Sequence, residues 1–246
     1  MIRRSCFYCG ILAAVLLTFT RCSSVYMPNV PATPMFKQQG EGYVAAHANL
    51  KGNLSGTAGI AVTEHIAILG NGSFVDYGRN SSHHFKQWST EGALGYFTTI
   101  GPGKRQVLEL YAGYGVGHTE DIDLRSSTVG YEPVESRVLD FDKIFVQVNY
   151  SATRKQKLRL FGRNRVLNYG TAVRLSRVGM KNFSINEIAA DKENNFYVEP
   201  LFFTRMELLK GFQLQYTNGF NIGMVSNTYL KAGNAVFTLG LVYNFN

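Results

Sequence analysis

The chain has 246 residues, enough for one domain, and its 17 Phe and 14 Tyr against a single Trp favour strands over packed helices. The mean hydropathy of −0.08 is too low for a protein built of membrane helices, whereas a membrane β-barrel hides its apolar surface in alternate residues. The formal net charge is +8, and no acidic residue precedes Glu41.

The N-terminus predicts export. Arg3 and Arg4 precede the apolar run Phe7–Phe19, which is too short to cross a bilayer as a helix. Cys22 and small polar residues follow, and this order resembles a bacterial lipoprotein signal. The resemblance implies a signal peptide over 1–21 and a lipid on Cys22. Arg21 departs from the small residue usual before that cysteine, so an ordinary secretory signal is the alternative.

Cysteine usage excludes disulfides and cysteine-based zinc sites once the signal is removed, because Cys22 is then the only cysteine. Residues 22–40 follow, with prolines at Pro28, Pro31 and Pro34. This spacing forbids a regular helix and disfavours a central strand. We therefore expect 22–40 to be an extended, lipid-anchored tether.

From residue 41 to residue 246 the pattern is that of an all-β protein. Apolar and polar residues alternate in stretches of the length expected for tilted transmembrane strands. The sequence predicts an antiparallel up-and-down barrel of about ten strands, with eight or twelve as alternatives. The predicted strands are 41–49, 53–62, 65–76, 86–99, 106–118, 141–152, 168–178, 194–205, 211–221 and 234–245.

The connections between these strands also favour an outer-membrane barrel, which has short periplasmic turns and longer outer loops. Short turns are predicted at 63–64, 100–105 and 207–210 on one side of the membrane. The longer connections on the other side are 77–85, 119–140, 179–193 and 222–233. A soluble periplasmic β-barrel lipoprotein is the alternative for the whole domain.

The C-terminal strand resembles the assembly signal of bacterial outer-membrane proteins. Thr238, Gly240, Tyr243 and Phe245 match its polar, glycine, hydrophobic and aromatic positions, with Asn246 as one extra residue. The resemblance implies the barrel assembly machinery as a partner and outer-membrane lipids as surroundings. An aromatic, apolar terminal strand also suits the closing edge of a barrel, since an open edge is not tolerated in hydrocarbon.

A basic run predicts contact with anionic lipid. No acidic residue lies between Asp142 and Glu187, and an exported protein rarely meets nucleic acid, so we exclude the latter as a partner. A solvated turn is the alternative. The six cations are Arg154, Lys155, Lys157, Arg159, Arg163 and Arg165.

The sequence predicts no catalytic site, metal or cofactor. His83 and His84 have no second ligand set. His118, Asp121 and Asp123 lie where omptin-family proteases place His and Asp groups, and they define a rim-site hydrolase as an alternative. Charges within strands should face the lumen, because charge facing lipid is costly. These are Glu91, Glu109, Lys143, Arg174, Glu199 and Arg205.

The leading functional hypothesis is therefore a non-enzymatic outer-membrane barrel with a structural or surface-interaction role for its outer loops. The sequence does not identify an extracellular ligand. A narrow passive channel for small solutes is the second hypothesis. It ranks second because side chains alone can nearly fill a barrel of this size.

Overall fold

The computed structural model describes residues 24–50, 52–78, 82–127, 130–155, 157–160, 162–231 and 235–245. The predicted signal peptide and Cys22 lie outside these residues. Within them, regular structure is β-strand apart from one 3-10 turn at Pro102–Lys104. No helix in the described residues is long and apolar enough to span a bilayer.

Ten long strands form the barrel. In chain order, β1 to β10 are Gly42–Asn49, Leu54–Ala61, Ile66–Tyr77, His83–Ile100, Gln106–Ser127, Gly130–Thr153, Leu167–Ile185, Asn194–Leu209, Phe212–Phe220 and Ala235–Phe245. Shorter pairings add a hairpin of Leu158–Leu160 with Arg163–Arg165, a return of Ile188–Ala189 against β7, and Ile222–Gly223 beside β8.

The barrel is closed. Each strand pairs antiparallel with the next, and β10 pairs with β1 from Gly42↔Phe245 to Asn49↔Thr238. Closure leaves no unpaired edge among the ten strands. The prediction of a closed, antiparallel, up-and-down barrel of ten strands is confirmed.

Two ends of the barrel can be distinguished. At the proximal end β1 begins and β10 finishes, and the chain turns at 62–65, 101–105, 154–166 and 210–211. At the distal end β5 and β6 are joined. Connection length separates the ends less than predicted, because the distal connections 50–53 and 128–129 are short. The ends differ instead in how far the strands project.

The predicted outer loop 119–140 is wrong, because β5 and β6 continue through it. Their pairing runs on past His118↔Asp140 to Ser127↔Gly130, with one irregularity between Asp123 and Leu124. Acidic residues favour a loop in the sequence pattern, but here they keep the alternation of a strand. β5 and β6 have 22 and 24 residues, about twice a transmembrane crossing.

β7 likewise continues to Ile185 within the predicted connection 179–193. The prolonged parts of β4 to β7, together with Ile188–Ala189, form one projection at the distal end. We call residues 83–87, 118–127, 130–142 and 177–189 the distal sheet. Its strands remain hydrogen-bonded to one another as continuations of the barrel strands, with register shifts between Asp123 and Leu124 and between Asp140 and Phe141.

Alternation gives the barrel an apolar outside. Each strand contributes outward side chains with about half of their surface exposed. One example per strand, each between 46% and 58% exposed, is given by Val44, Ile60, Phe74, Leu94, Leu110, Ile144, Leu175, Phe202, Tyr216 and Leu239. The inward positions carry buried polar and charged side chains together with aromatic rings such as Phe97, Tyr111 and Phe145, so the core lies in the lumen.

Candidate functional site: the occupied lumen

The lumen is filled by the N-terminal segment of the chain. Residues 24–36, which we call the lumen segment, have no strand pairing, and from Val25 to Phe36 every residue is buried. The sequence predicts an extended tether for these residues. They are extended, as the prolines require, but they run through the barrel before the chain turns at Gly40 (φ 86°) into β1.

The wall of the lumen is polar and charged, as predicted. A four-residue ionic cluster lies beside the middle of the lumen segment. Lys143 Nζ lies 3.1 Å from Glu91 and 3.4 Å from Glu199, and Arg174 Nη1 lies 3.0 Å from Glu91. Two cations and two carboxylates balance, which is the arrangement that buried charge requires.

The distal half of the lumen segment is held by amide and hydroxyl groups. Gln87 accepts from the Met27 backbone N–H at 2.8 Å and donates to its carbonyl at 2.6 Å. The Asn29 side chain accepts from the hydroxyls of Ser73 and Ser89. These pairs satisfy polar groups of a segment that has no strand partner, and unsatisfied groups would otherwise destabilise it.

Below this point the wall again contacts main-chain atoms. Asn71 Nδ2 donates to the Val30 carbonyl at 2.9 Å. Gln147 and Asn149 both donate to the Ala32 carbonyl, at 2.7 and 2.9 Å. The wall therefore forms hydrogen bonds mainly with backbone atoms of the segment. Most of these bonds do not depend on which side chains the segment carries.

Two charged groups hold the proximal half. Glu109 Oε1 accepts from the backbone N–H groups of Met35 and Phe36, at 3.1 and 3.3 Å. Arg205 Nη2 donates to the Thr33 carbonyl at 2.5 Å. Among the described residues neither Glu109 nor Arg205 has an oppositely charged group within 4 Å, so each depends on dipoles that the segment supplies in part.

Apolar contacts fix the segment at both ends. Near the distal end Tyr26 packs edge-on against Phe141, with ring centroids 5.2 Å apart, and stacks on Tyr197 at 5.4 Å. Near the proximal end Phe36 lies 5.8 Å from the ring of Phe97. These rings bury a large apolar area and anchor a segment whose polar contacts are mainly through its backbone.

Little free space remains beside the segment. One void lined by Met27, Val30 and Thr238 and another lined by Ala32, Leu69 and Arg174 have volumes of about 10 Å³ each, close to the minimum for one water molecule. A wider recess of about 600 Å³ opens at the proximal mouth, next to Lys37 and Lys210. The described lumen is therefore closed between its two mouths.

The structure does not bring the rim-site residues together. His118 faces outward and contacts Asp140 at 2.7 Å, whereas Asp121 is buried on the inner face of the same strand. Asp121 and Asp123 both bind Arg137, at 2.9 and 2.7 Å. These three carboxylate and imidazole groups therefore do not form one site.

The histidine pair diverges in the same way. His83 Nε2 lies 2.5 Å from Asp121, and this hydrogen bond raises the pKa of His83. His84 Nε2 lies 3.0 Å from Asp76. Among the described residues no group of three or more His, Cys, Asp or Glu side chains is placed to hold a metal ion.

The basic run lies at the proximal end, as the predicted topology required. The side chains of Arg154, Lys155, Lys157 and Arg159 are exposed. Arg165 is partly buried and donates to the carbonyls of Glu207 and Leu208. The side chain of Arg163 lies outside the description.

The residues of the predicted assembly signal divide between the two faces of β10. Thr238 is buried in the lumen, and Gly240 faces inward against His47, where a Cβ would lie 2.2 Å from a ring carbon. Tyr243 and Phe245 face outward. Tyr243 stacks on Phe212 at 4.4 Å and on Phe245 at 5.4 Å, which forms an aromatic patch on β9 and β10 next to the closing seam.

Sequence reasoning missed the residues that bind the lumen segment. These are ordinary polar residues on strands with alternating polar and apolar positions, and their partners lie as much as 117 positions away in sequence. They are Asn71, Gln87, Gln147 and Asn149. One local signal was present. The segment 24–36 is richer in large apolar residues than a solvated tether would be, with Val25, Tyr26, Met27, Val30, Met35 and Phe36.

No protein-family model and no curated protein matches the chain. Among solved structures, the translocator domain of autotransporter NalP from Neisseria meningitidis is similar with a TM-score of 0.48 and 11% identity, over 84% of this chain and 76% of that one. The FpvAI–pyocin S2 complex gives a TM-score of 0.26 and 9% identity, over 88% and 42%. The siderophore receptor PirA from Pseudomonas aeruginosa gives 0.20 and 13%, over 85% and 41%. All three TM-scores are below 0.5, and the closed ten-strand barrel is established by the chain's own strand pairing.

Proposed function

We propose that this chain is a non-enzymatic outer-membrane barrel with a closed lumen, and that its role is structural or depends on surface interactions of the distal sheet. The observation that carries this proposal is the apolar belt around a polar, hydrogen-bonded interior. A soluble protein buries its apolar side chains inside, whereas here residues such as Leu94 and Leu239 are 58% and 56% exposed.

The belt ends where outward-facing charges begin. Beyond it, at the distal end, Lys86 pairs with Glu120 at 3.3 Å and Lys181 pairs with Asp142 at 2.8 Å. Charged residues are expensive in hydrocarbon, so we place this level in water or among headgroups. The distal sheet then stands outside the hydrocarbon core and is the surface available to partners.

We place the distal end outside the cell. The resemblance of β10 to an assembly signal supports this orientation, because such strands finish on the periplasmic side. In this orientation the basic run faces the periplasm. We propose that Arg154, Lys155, Lys157 and Arg159 contact anionic headgroups of the inner leaflet, at about 1 kcal/mol for each cation near the surface.

The headgroup contact is testable on the full chain held in nanodiscs of neutral lipid, so that insertion does not itself cause flotation. Replacing these four residues by Gln should reduce flotation of the discs with added vesicles that contain phosphatidylglycerol at low salt, where screening is weak. Replacing the distal cations Arg125, Lys181 and Lys192 by Gln is the matched control and should leave it unchanged. Equal loss in both variants, or no loss in either, would leave the basic run as a solvated turn.

We also propose that Cys22 carries a lipid. The support is the order of charged, apolar and small residues before it, as in a lipoprotein signal. Cys22→Ala should lose incorporation of labelled palmitate, while the barrel still reaches the membrane through its own belt. Incorporation equal to that of the parent chain would show that the lipid, if present, is attached elsewhere.

The proposal is tested by fractionation of cells followed by gel migration with and without boiling. A folded membrane barrel should appear in the outer-membrane fraction and migrate differently before and after boiling. Recovery in the soluble periplasmic fraction would favour the soluble lipoprotein. An epitope inserted at Thr128, between β5 and β6 in the sequence, should bind antibody on intact cells, and binding only after permeabilisation would invert the orientation.

A further inference from the structure

We infer that the lumen segment emerges at the distal mouth of the barrel, so that Ser24 is exposed on the cell surface. This inference rests on the orientation proposed above. The described residues trace the path of the chain through the lumen from Ser24 onward.

The direction of the lumen segment is given by its contacts in order. The Val25 backbone N–H donates to the carbonyl of Tyr229 in the distal connection between β9 and β10, at 3.4 Å. Ala32 meets the middle of β6 through Gln147 and Asn149. Pro34 accepts from Asn244, one residue before the end of β10, at 3.2 Å. The segment therefore runs from the distal to the proximal end.

The proximal turn confirms this direction. The Gly40 backbone N–H donates to the carbonyl of Ala61 at 2.9 Å, and β1 begins at Gly42. The chain therefore reaches the proximal end only after it has passed through the barrel. The two voids beside the segment hold about 10 Å³ each, which is too little for a second strand of chain.

The length of the segment fits a membrane crossing. An extended stretch from Ser24 to Phe36 spans roughly 40 Å, against about 30 Å for the hydrocarbon core of a bilayer. This length is an upper limit, because the chain bends at Val25 and Met35 has a φ of 67°. The segment is long enough to carry Ser24 to the distal edge of the core.

Hydrogen bonds at the distal mouth fix the point where the lumen segment emerges. Glu193 accepts from the backbone N–H groups of Thr228, Tyr229 and Leu230, at 2.8, 2.9 and 2.8 Å. Asn195 donates to the Leu230 carbonyl at 2.6 Å. These bonds fold the connection over the barrel, where the Tyr229 carbonyl receives Val25. Val25 is therefore held against the distal connection between β9 and β10.

The test is a short epitope inserted between Ser23 and Ser24 in the full chain, with the same epitope at Gly103 in a proximal turn as the matched control. Antibody should bind the first variant on intact cells and the second only after permeabilisation. Binding of both variants only after permeabilisation, with the Thr128 epitope accessible on intact cells, would overturn the inference while leaving the proposed orientation in place.

Failure of the proposed orientation gives a different pattern. The Gly103 epitope would then be accessible on intact cells and the Thr128 epitope would not. A second readout avoids insertions altogether. Ser24→Cys should react with a membrane-impermeant maleimide on intact cells and Gln39→Cys should not, with the parent chain as the blank. Labelling of Gln39→Cys but not of Ser24→Cys would overturn the inference.

Discussion

At the scale of single residues, two of the buried charges of the lumen bind main-chain dipoles rather than opposite charges. Glu109 and Arg205 are fully enclosed, and both bind backbone atoms of the lumen segment. Removing one partner of such a contact leaves the other desolvated and unsatisfied, which costs more than the bond itself contributed. The wall and the segment therefore stabilise each other.

Glu109→Ala tests this dependence. It leaves the N–H groups of Met35 and Phe36 without an acceptor, and we expect a loss of about 1–3 kcal/mol in the free energy of unfolding, measured by denaturant titration in detergent. Glu109→Gln keeps one acceptor oxygen and should lose less. Glu64→Ala, in an exposed proximal turn, is the control and should stay within about 0.5 kcal/mol. Equal effects at both sites would contradict the role given to Glu109.

A second prediction at this scale concerns pH. The hydrogen bond to Asp121 raises the pKa of His83 above 6.5, although the neighbouring Arg137 opposes this. A raised folded-state pKa means that the stabilisation is complete below the unfolded value and is lost as pH rises through the folded one. His83→Gln should therefore lower the unfolding temperature more at pH 5 than at pH 8. His65→Gln, at the proximal end, is the control, and a pH-independent effect of His83→Gln would refute the assignment.

At the scale of elements, the strands could be predicted from sequence where the alternation of polar and apolar residues along the strand itself defines them. On β10 the predicted strand 234–245 agrees with the observed Ala235–Phe245, because the alternation is strict. The ends of β5 and β6 were missed, since acidic residues such as Glu120 and Asp123 are common in loops as well as on solvated strands. The lumen segment was missed because its partners lie on strands distant in sequence.

The lumen segment is also the element that decides conduction. Replacing residues 24–36 by a Gly/Ser stretch of equal length removes the anchoring rings of Tyr26 and Phe36. We expect frequent conductance steps for this variant in planar bilayers and none for the parent chain. Conductance of the parent equal to that of the variant would instead support the narrow channel.

At the scale of the whole molecule, the barrel depends on one seam between its first and last strands. Deleting Tyr243–Asn246 removes the partners of Gly42, Tyr43 and Val44. The exposed edge cannot be satisfied in hydrocarbon, so we expect no heat-modifiable product in the outer membrane. Deleting Asn246 alone is the control and should be tolerated. Normal membrane yield of the longer deletion would argue for a soluble domain.

The path of the lumen segment also constrains the order of folding. Its contacts include Asn71 on β3 and Asn244 on β10, so the site that holds it is complete only when the last strand arrives. Threading a finished barrel would require the residues before Ser24, with any lipid they carry, to be pulled through a lumen that has no spare width. We therefore expect the strands to assemble around the segment, with ring closure as the final and slowest step, because the first and last strands must find each other across the whole chain.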